Sequence, residues 1–97
     1  MPIYISLLRY TEQGMKNIKE SPARLDAARK AFREMGAELK DFYLVQGQYD
    51  ALCIAEAPDD ATMAKIMLSI GAKGNVRTET LRAFSEQEFR KIAGSLG

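Results

Sequence analysis

Val45-Gln46-Gly47-Gln48-Tyr49-Asp50-Ala51-Leu52 (VQGQYDAL) lies mid-chain between two runs of apolar residues. Apolar, β-branched and aromatic residues flank Gly47-Gln48. That pattern predicts two antiparallel strands, over residues 37–46 and 49–57, joined by a glycine-containing turn. A hairpin here divides the chain into halves, each of which has to supply one further strand and one helix.

The N-terminal half meets that requirement. Ile3 to Tyr10 reads as a strand bounded by Pro2 and Thr11-Glu12-Gln13-Gly14. TEQGMKNIKE is polar, with Met15 and Ile18 three apart, and is expected to be partly ordered. A long helix then starts with Ser21 as N-cap and Pro22 in the first turn. Leu25, Ala28, Phe32 and Met35 form its apolar stripe, and Gly36 stops it. In the C-terminal half, Pro58-Asp59-Asp60 ends the third strand, and Asp59 or Asp60 caps a second helix. Met63, Ile66, Met67 and Ile70 face its core, and Gly71–Asn75 breaks it. Val76 to Phe84 is the fourth strand. Ser85 and Glu88 fit a capping box that opens a short last helix bearing Phe89 and Ile92. Strand, helix, strand, strand, helix, strand is the split βαβ order. It predicts an α+β, ferredoxin-like sandwich over residues 1–97, with a four-stranded antiparallel sheet and both main helices on one face.

Alternation along the strands makes the other face informative. Ala51, Cys53 and Ala55 oppose Leu52 and Ile54; Phe42 and Leu44 oppose Tyr43 and Val45; Ile3, Ile5 and Leu7 oppose Tyr4, Ser6 and Leu8. Neither face is plainly polar, although a sheet covered on one side should show a solvated face. The uncovered side is therefore expected to meet a second copy of the chain, as a dimer or higher homo-oligomer, or to enclose a ligand.

Composition narrows the function. Ninety-seven residues suffice for one domain with a modest core. The net charge of +1, with no basic run, argues against nucleic acid as a partner. Ferredoxin-like relatives that bind RNA need exposed aromatics on the sheet and a basic surround; Tyr43 and Tyr4 could mimic the first, and the balanced charge lacks the second. Cys53 is alone and histidine is absent, so disulfides, cysteine metal clusters and histidine-based nucleophile pairs are not expected, nor is a cofactor. No apolar stretch approaches the ~20 residues that span a bilayer, and MPIYISLLRY lacks the basic segment of a signal peptide. A cytoplasmic protein without a membrane partner is the expectation.

TEQGMKNIKESPAR, GQYD, EAPDD and GNVRTETLRAF, in that order, resemble the GYD domain family, from Ile3 to about Glu88. The likeness implies a place among the dimeric α/β-barrel relatives of the ferredoxin-like fold. It implies no agreed biochemical role. In this chain Gln48 separates Gly47 from Tyr49, where the family name suggests contiguous Gly-Tyr-Asp.

Four segments carry candidate site residues. Tyr49 and Asp50 either bind or protonate a small polar ligand, or pack on the sheet edge and bond turn backbone. Arg77 and Glu79 share a strand face with Leu81 and Ala83, and either form an interfacial ion pair or hold an anion. Gly71-Ala72-Lys73-Gly74-Asn75 runs from helix to strand, the reverse of a phosphate loop, and reads as a turn. Gln13 and Asn17 can share a helical face and bind a ligand or cap a helix. Cys53, between Ala51 and Ala55, reads as a small buried hydrophobe. These residues lead to a non-catalytic oligomeric protein that binds a small anionic ligand at the sheet or subunit interface. Tyr43, Tyr49, Asp50, Arg77 and Glu79 would line that site, with Gln13 and Asn17 nearby. The alternatives are a small cofactor-free enzyme with Tyr49 and Asp50 as acid/base pair, and a structural or regulatory subunit that binds a partner.

Overall fold

A computed structural model describes all residues, Met1–Gly97. In chain order it contains β1 (Ile3–Tyr10), α1 (Glu12–Lys16), a 3-10 turn (Ile18–Glu20), α2 (Ser21–Glu34), β2 (Glu38–Leu44), β3 (Ala51–Glu56), α3 (Asp60–Ala72), β4 (Val76–Ala83) and α4 (Glu86–Gly94). The strands form one antiparallel sheet in the order β2-β3-β1-β4. With α2 and α3 on the same side, this is the ferredoxin-like α+β arrangement.

Side-chain size decides which face the helices cover. Cross-strand pairing puts Tyr4 beside Ala55, Ser6 beside Cys53 and Leu8 beside Ala51. Ala51, Cys53 and Ala55 are small and fully covered, which leaves depth for Phe32 from α2 and Met63 and Ile66 from α3. Ser6 is buried among them, and its hydroxyl is satisfied by the Thr80 hydroxyl at 2.9 Å. Burial also pushes the Cys53 thiol up, as suits a packing residue.

Several boundaries differ from the sequence expectation. The turn between β2 and β3 is longer than Gly47-Gln48. The strands stop at Leu44 and resume at Ala51, so Tyr49 and Asp50 belong to the loop and do not begin β3. Val45 N–H donates to Asp50 O at 2.9 Å to close it, and Gly47 adopts φ 133°, where a Cβ would be strained. Ser21 is the first residue of α2 and does not cap it, because the preceding 3-10 turn already supplies helical backbone. Its hydroxyl bonds the Tyr10 hydroxyl at 2.8 Å instead. Gly71 does not break α3, which runs to Ala72 and ends before Gly74 at φ 82°. Asp59 caps that helix by accepting from Thr62 N–H at 2.7 Å, and both bonds of the Ser85/Glu88 capping box are present.

Tyr4 is the largest departure. It does not lie on an exposed sheet surface but packs in the core, with its hydroxyl donating to Asp60 at the start of α3. Burial, then the Asp60 bond and the Asp60 charge, push its phenol from 10.0 up to about 12, against the opposing charge of Arg82. The folded state therefore holds this proton more tightly than the unfolded chain. The resulting stability is present below pH 10 and is lost as pH rises towards 12. Urea unfolding of wild type should weaken over that interval more than unfolding of Tyr4→Phe; parallel curves would contradict the assignment.

The opposite face carries Ile3, Ile5 and Leu7 of β1, Leu52 and Ile54 of β3, and Leu81 of β4, aligned row by row. No helix of the chain covers them. A second apolar surface lies on α4 and the residues just after it, where Phe89, Ile92 and then Leu96 are exposed, and the helix has no more than marginal contact with other elements. The radius of gyration is 14.7 Å. A compact chain of this length is expected at about 12.5 Å. No helix is long and apolar enough to cross a membrane.

Candidate functional site

The site is built where the C-terminal end of β1 meets the 45–50 loop and the N-terminal end of β4. β1 outruns β3 there, because β3 starts only at Ala51, opposite Leu8. Asp50 completes the missing ladder. Its N–H donates to Leu8 O at 2.8 Å, and its Oδ2 accepts from Tyr10 N–H at 2.9 Å. One carboxylate thus fastens the loop to the strand it crosses. Asp50→Ala leaves the Tyr10 N–H without that partner and should cost about 1–3 kcal/mol. Asp50→Asn keeps an acceptor and should cost less; urea midpoints for the two variants measure the difference.

Fastening Asp50 projects Tyr49 onto the bare face. Its ring lies 4.5 Å beneath the Arg9 guanidinium, and its hydroxyl reaches Glu79 Oε1 at 3.4 Å. Arg9 Nε donates to Gln48 O at 2.6 Å, so Arg9 holds the loop by backbone and by ring together. Arg77 stands directly across from Arg9 in the β1–β4 register. Like charges opposed in this way repel. Arg77 enters none of the chain's ion pairs, which join Arg24 to Glu20, Lys40 to Glu56 and Arg90 to Glu86. The cluster of Arg9, Tyr49, Arg77 and Glu79 therefore sets two guanidinium groups and one carboxylate beside an apolar surface.

The remaining candidates fall elsewhere. Tyr43 lies on the same face and in the same row as Glu79, through Leu52 and Leu7, but on the far edge strand. Three interstrand spacings separate them, about 14 Å. Gln13 and Asn17 belong to the α1 region, not to the sheet face. Gln13 Nε2 donates to Lys73 O at 3.1 Å and to Asn75 Oδ1 at 3.0 Å, while Asn17 Nδ2 donates to Gln13 O at 3.1 Å. The Gln13 amide ties α1 to the loop before β4, and the Asn17 amide closes the end of α1 itself. Sequence reasoning did not single out Arg9. Strand alternation carried the signal, since it sets Arg9 on the face of Leu7 and hence of Arg77.

A sheet with one face filled by its own helices and an apolar second face ending in a charged cluster defines a ferredoxin-like domain with a surface open to another molecule. The chain belongs to the GYD domain family, whose model matches residues 4–93. It is similar to a protein of Thermus thermophilus described as a glutamine synthetase and cystathionine beta-lyase binding protein, with 34% identity over 84 residues, 86% of this chain and 88% of the relative. It also resembles a crystal structure of a protein from Thermus thermophilus, with a TM-score of 0.56 and 25% identity, covering 88% of this chain and 95% of that one.

Proposed function

We propose that this chain is a non-catalytic binding protein that self-associates through its bare sheet face and docks, so assembled, on a second protein. The observation that carries this reading is the row of Ile3, Ile5, Leu7, Leu52, Ile54 and Leu81, left without cover while every packed helix lies on the other side. An apolar surface of this extent is unfavourable in water, and a second copy offers the same complement by symmetry. The similar protein's description makes glutamine synthetase, from the same organism as this chain, the partner to test. Light scattering should give a multiple of 10.8 kDa at micromolar concentration, and titration calorimetry should detect saturable binding to purified glutamine synthetase. A monomer would refute the sheet interface; no heat with either that enzyme or cystathionine beta-lyase would refute the partner.

The Arg9–Arg77 pairing favours a second reading, in which a small anion sits at the charged end of the interface. Thermal-shift screening of wild type against Arg77→Ala, Tyr49→Phe and Asp50→Asn tests it. Ligand shifts retained by all three variants would make these residues structural. The commitment of Asp50 to a backbone N–H disfavours Tyr49 and Asp50 as an acid/base pair.

A further inference from the structure

On the opposite side of the sheet, between the helices and the strands, lies a cavity of about 150 Å³. Its depth is apolar, walled by Leu8, Phe32, Ile66 and Met67. Its polar end is formed where α2 begins and α3 finishes, by Tyr10, Ser21, Arg24 and Lys73, and no Asp or Glu lines it anywhere.

Arg24 is the residue the fold leaves unexplained. One terminal nitrogen donates to Asn17 O at 3.1 Å and lies 3.9 Å from the largely exposed Glu20 carboxylate. The other, Nη2, is buried and has no hydrogen-bond partner. A buried guanidinium N–H without an acceptor is costly, and its natural acceptor is a carboxylate. Beside it the Tyr10 and Ser21 hydroxyls bond each other at 2.8 Å, which uses one of their two protons and leaves the other to donate. Lys73 adds a second positive charge at the same end.

We propose that this cavity binds a small monocarboxylate with a compact apolar tail. The carboxylate accepts from Arg24 Nη2 and from the free hydroxyl, and the tail lies against Phe32 and Ile66. The cavity's size sets the tail, since a dry cavity of about this volume accommodates a benzene ring. A tail of about five or six carbons, linear and folded, branched or cyclic, fits; a long acyl chain does not.

The test is methyl-detected NMR of the full chain titrated with hexanoate, with 1-hexanol as an uncharged control. Hexanoate should shift the Leu8, Leu25, Ile66 and Ile70 methyls saturably, and hexanol should bind at least about tenfold more weakly, the scale of one charge-assisted contact. Arg24→Met keeps an apolar stem and removes the unsatisfied nitrogen, so it should stay folded and lose at least about tenfold in hexanoate affinity. Lys73→Ala, at an exposed position, should weaken binding by a smaller factor and reports independently if Arg24→Met does not fold. Absence of saturable shifts, equal binding of hexanoate and hexanol, or hexanoate affinity unchanged in the Arg24→Met or Lys73→Ala protein would overturn the proposal.

Discussion

Given the proposed sheet-to-sheet assembly, Ile54→Lys is expected to yield a folded monomer of 10.8 kDa. Ile54 sits on the bare face of β3, paired with Ile5 on one side and Asp41 on the other. In an isolated chain that position is half-exposed, so a lysine can carry its ammonium into water and the core on the far side is untouched. In a symmetric sheet-to-sheet interface the same change acts twice. Each copy forfeits the burial of an isoleucine, about 1.5–3 kcal/mol, and carries an ammonium and the neighbouring Asp41 carboxylate out of water, a desolvation that their mutual attraction does not fully offset. The sum exceeds about 5 kcal/mol, or more than three decades in dissociation constant. Light scattering should therefore show the monomer mass at concentrations where wild type is assembled, with an unchanged circular dichroism spectrum. Retention of the assembled mass would show that the subunits meet elsewhere.

The second large effect is expected at Gly14, midway along the short helix α1. A Cβ there would stand 1.9 Å from the Asn75 carbonyl oxygen and 2.9 Å from its carbon. Both are backbone atoms and cannot swing aside as a side chain can. Gly14→Ala has to lift α1 from the loop before β4. That strains or breaks the Thr11 N–H bond to Asn75 O at 3.1 Å, the Thr11 hydroxyl bond to Gly74 O at 2.6 Å and both Gln13 amide bonds. The expected cost is about 3 kcal/mol, at the upper end of overpacking effects. Gly71→Ala is the control. Its Cβ meets nothing within 4 Å on a regular helix, so it should be neutral or stabilise by up to about 1 kcal/mol. Urea midpoints that fall equally for both variants would remove the steric explanation.

These two positions separate what local pattern can express from what it cannot. Ile54 belongs to an alternating strand, and its place opposite Cys53 and Ala55 was readable from period-2 spacing alone. The choice between the two faces was not readable, because Ala, Cys and Ser against Ile and Leu is a difference of volume that matters only when Phe32 and Met63 have to fit. A bulge at Lys40 adds to this. Leu39 pairs with Ala55 and Asp41 with Ile54, so one extra residue lets both Leu39 and Phe42 face the helices, which strict alternation forbids. Tyr4 misled for the same reason, since an aromatic on a strand reads alike whether it is stacked in the open or packed under a helix.

The candidate site divides similarly. Asp50 and Tyr49 were legible as a suggestive pair, but their separate tasks follow from β1 extending past β3, a relation between residues about 40 positions apart. Arg9 entered through the register with Arg77, which no single strand encodes. Spacing alone left Gln13 open to binding a ligand or capping a helix; its bonds to Lys73 O and Asn75 Oδ1 come from a segment about 60 positions away.

By itself the sequence determined the order and kind of the elements, because helix period, strand alternation, a cap at Asp59 or Asp60, the Ser85/Glu88 box and the stop at Gly36 are set by neighbours a few residues apart. It also determined that neither face of the sheet is plainly polar. Only the tertiary structure decided which face is left bare, that Asp50 holds a loop while Tyr49 joins the arginines, and that Arg24 keeps an unpaired nitrogen beside a cavity. Those are contacts between distant segments, and their energies depend on volumes and hydrogen-bond partners that exist only once the segments meet.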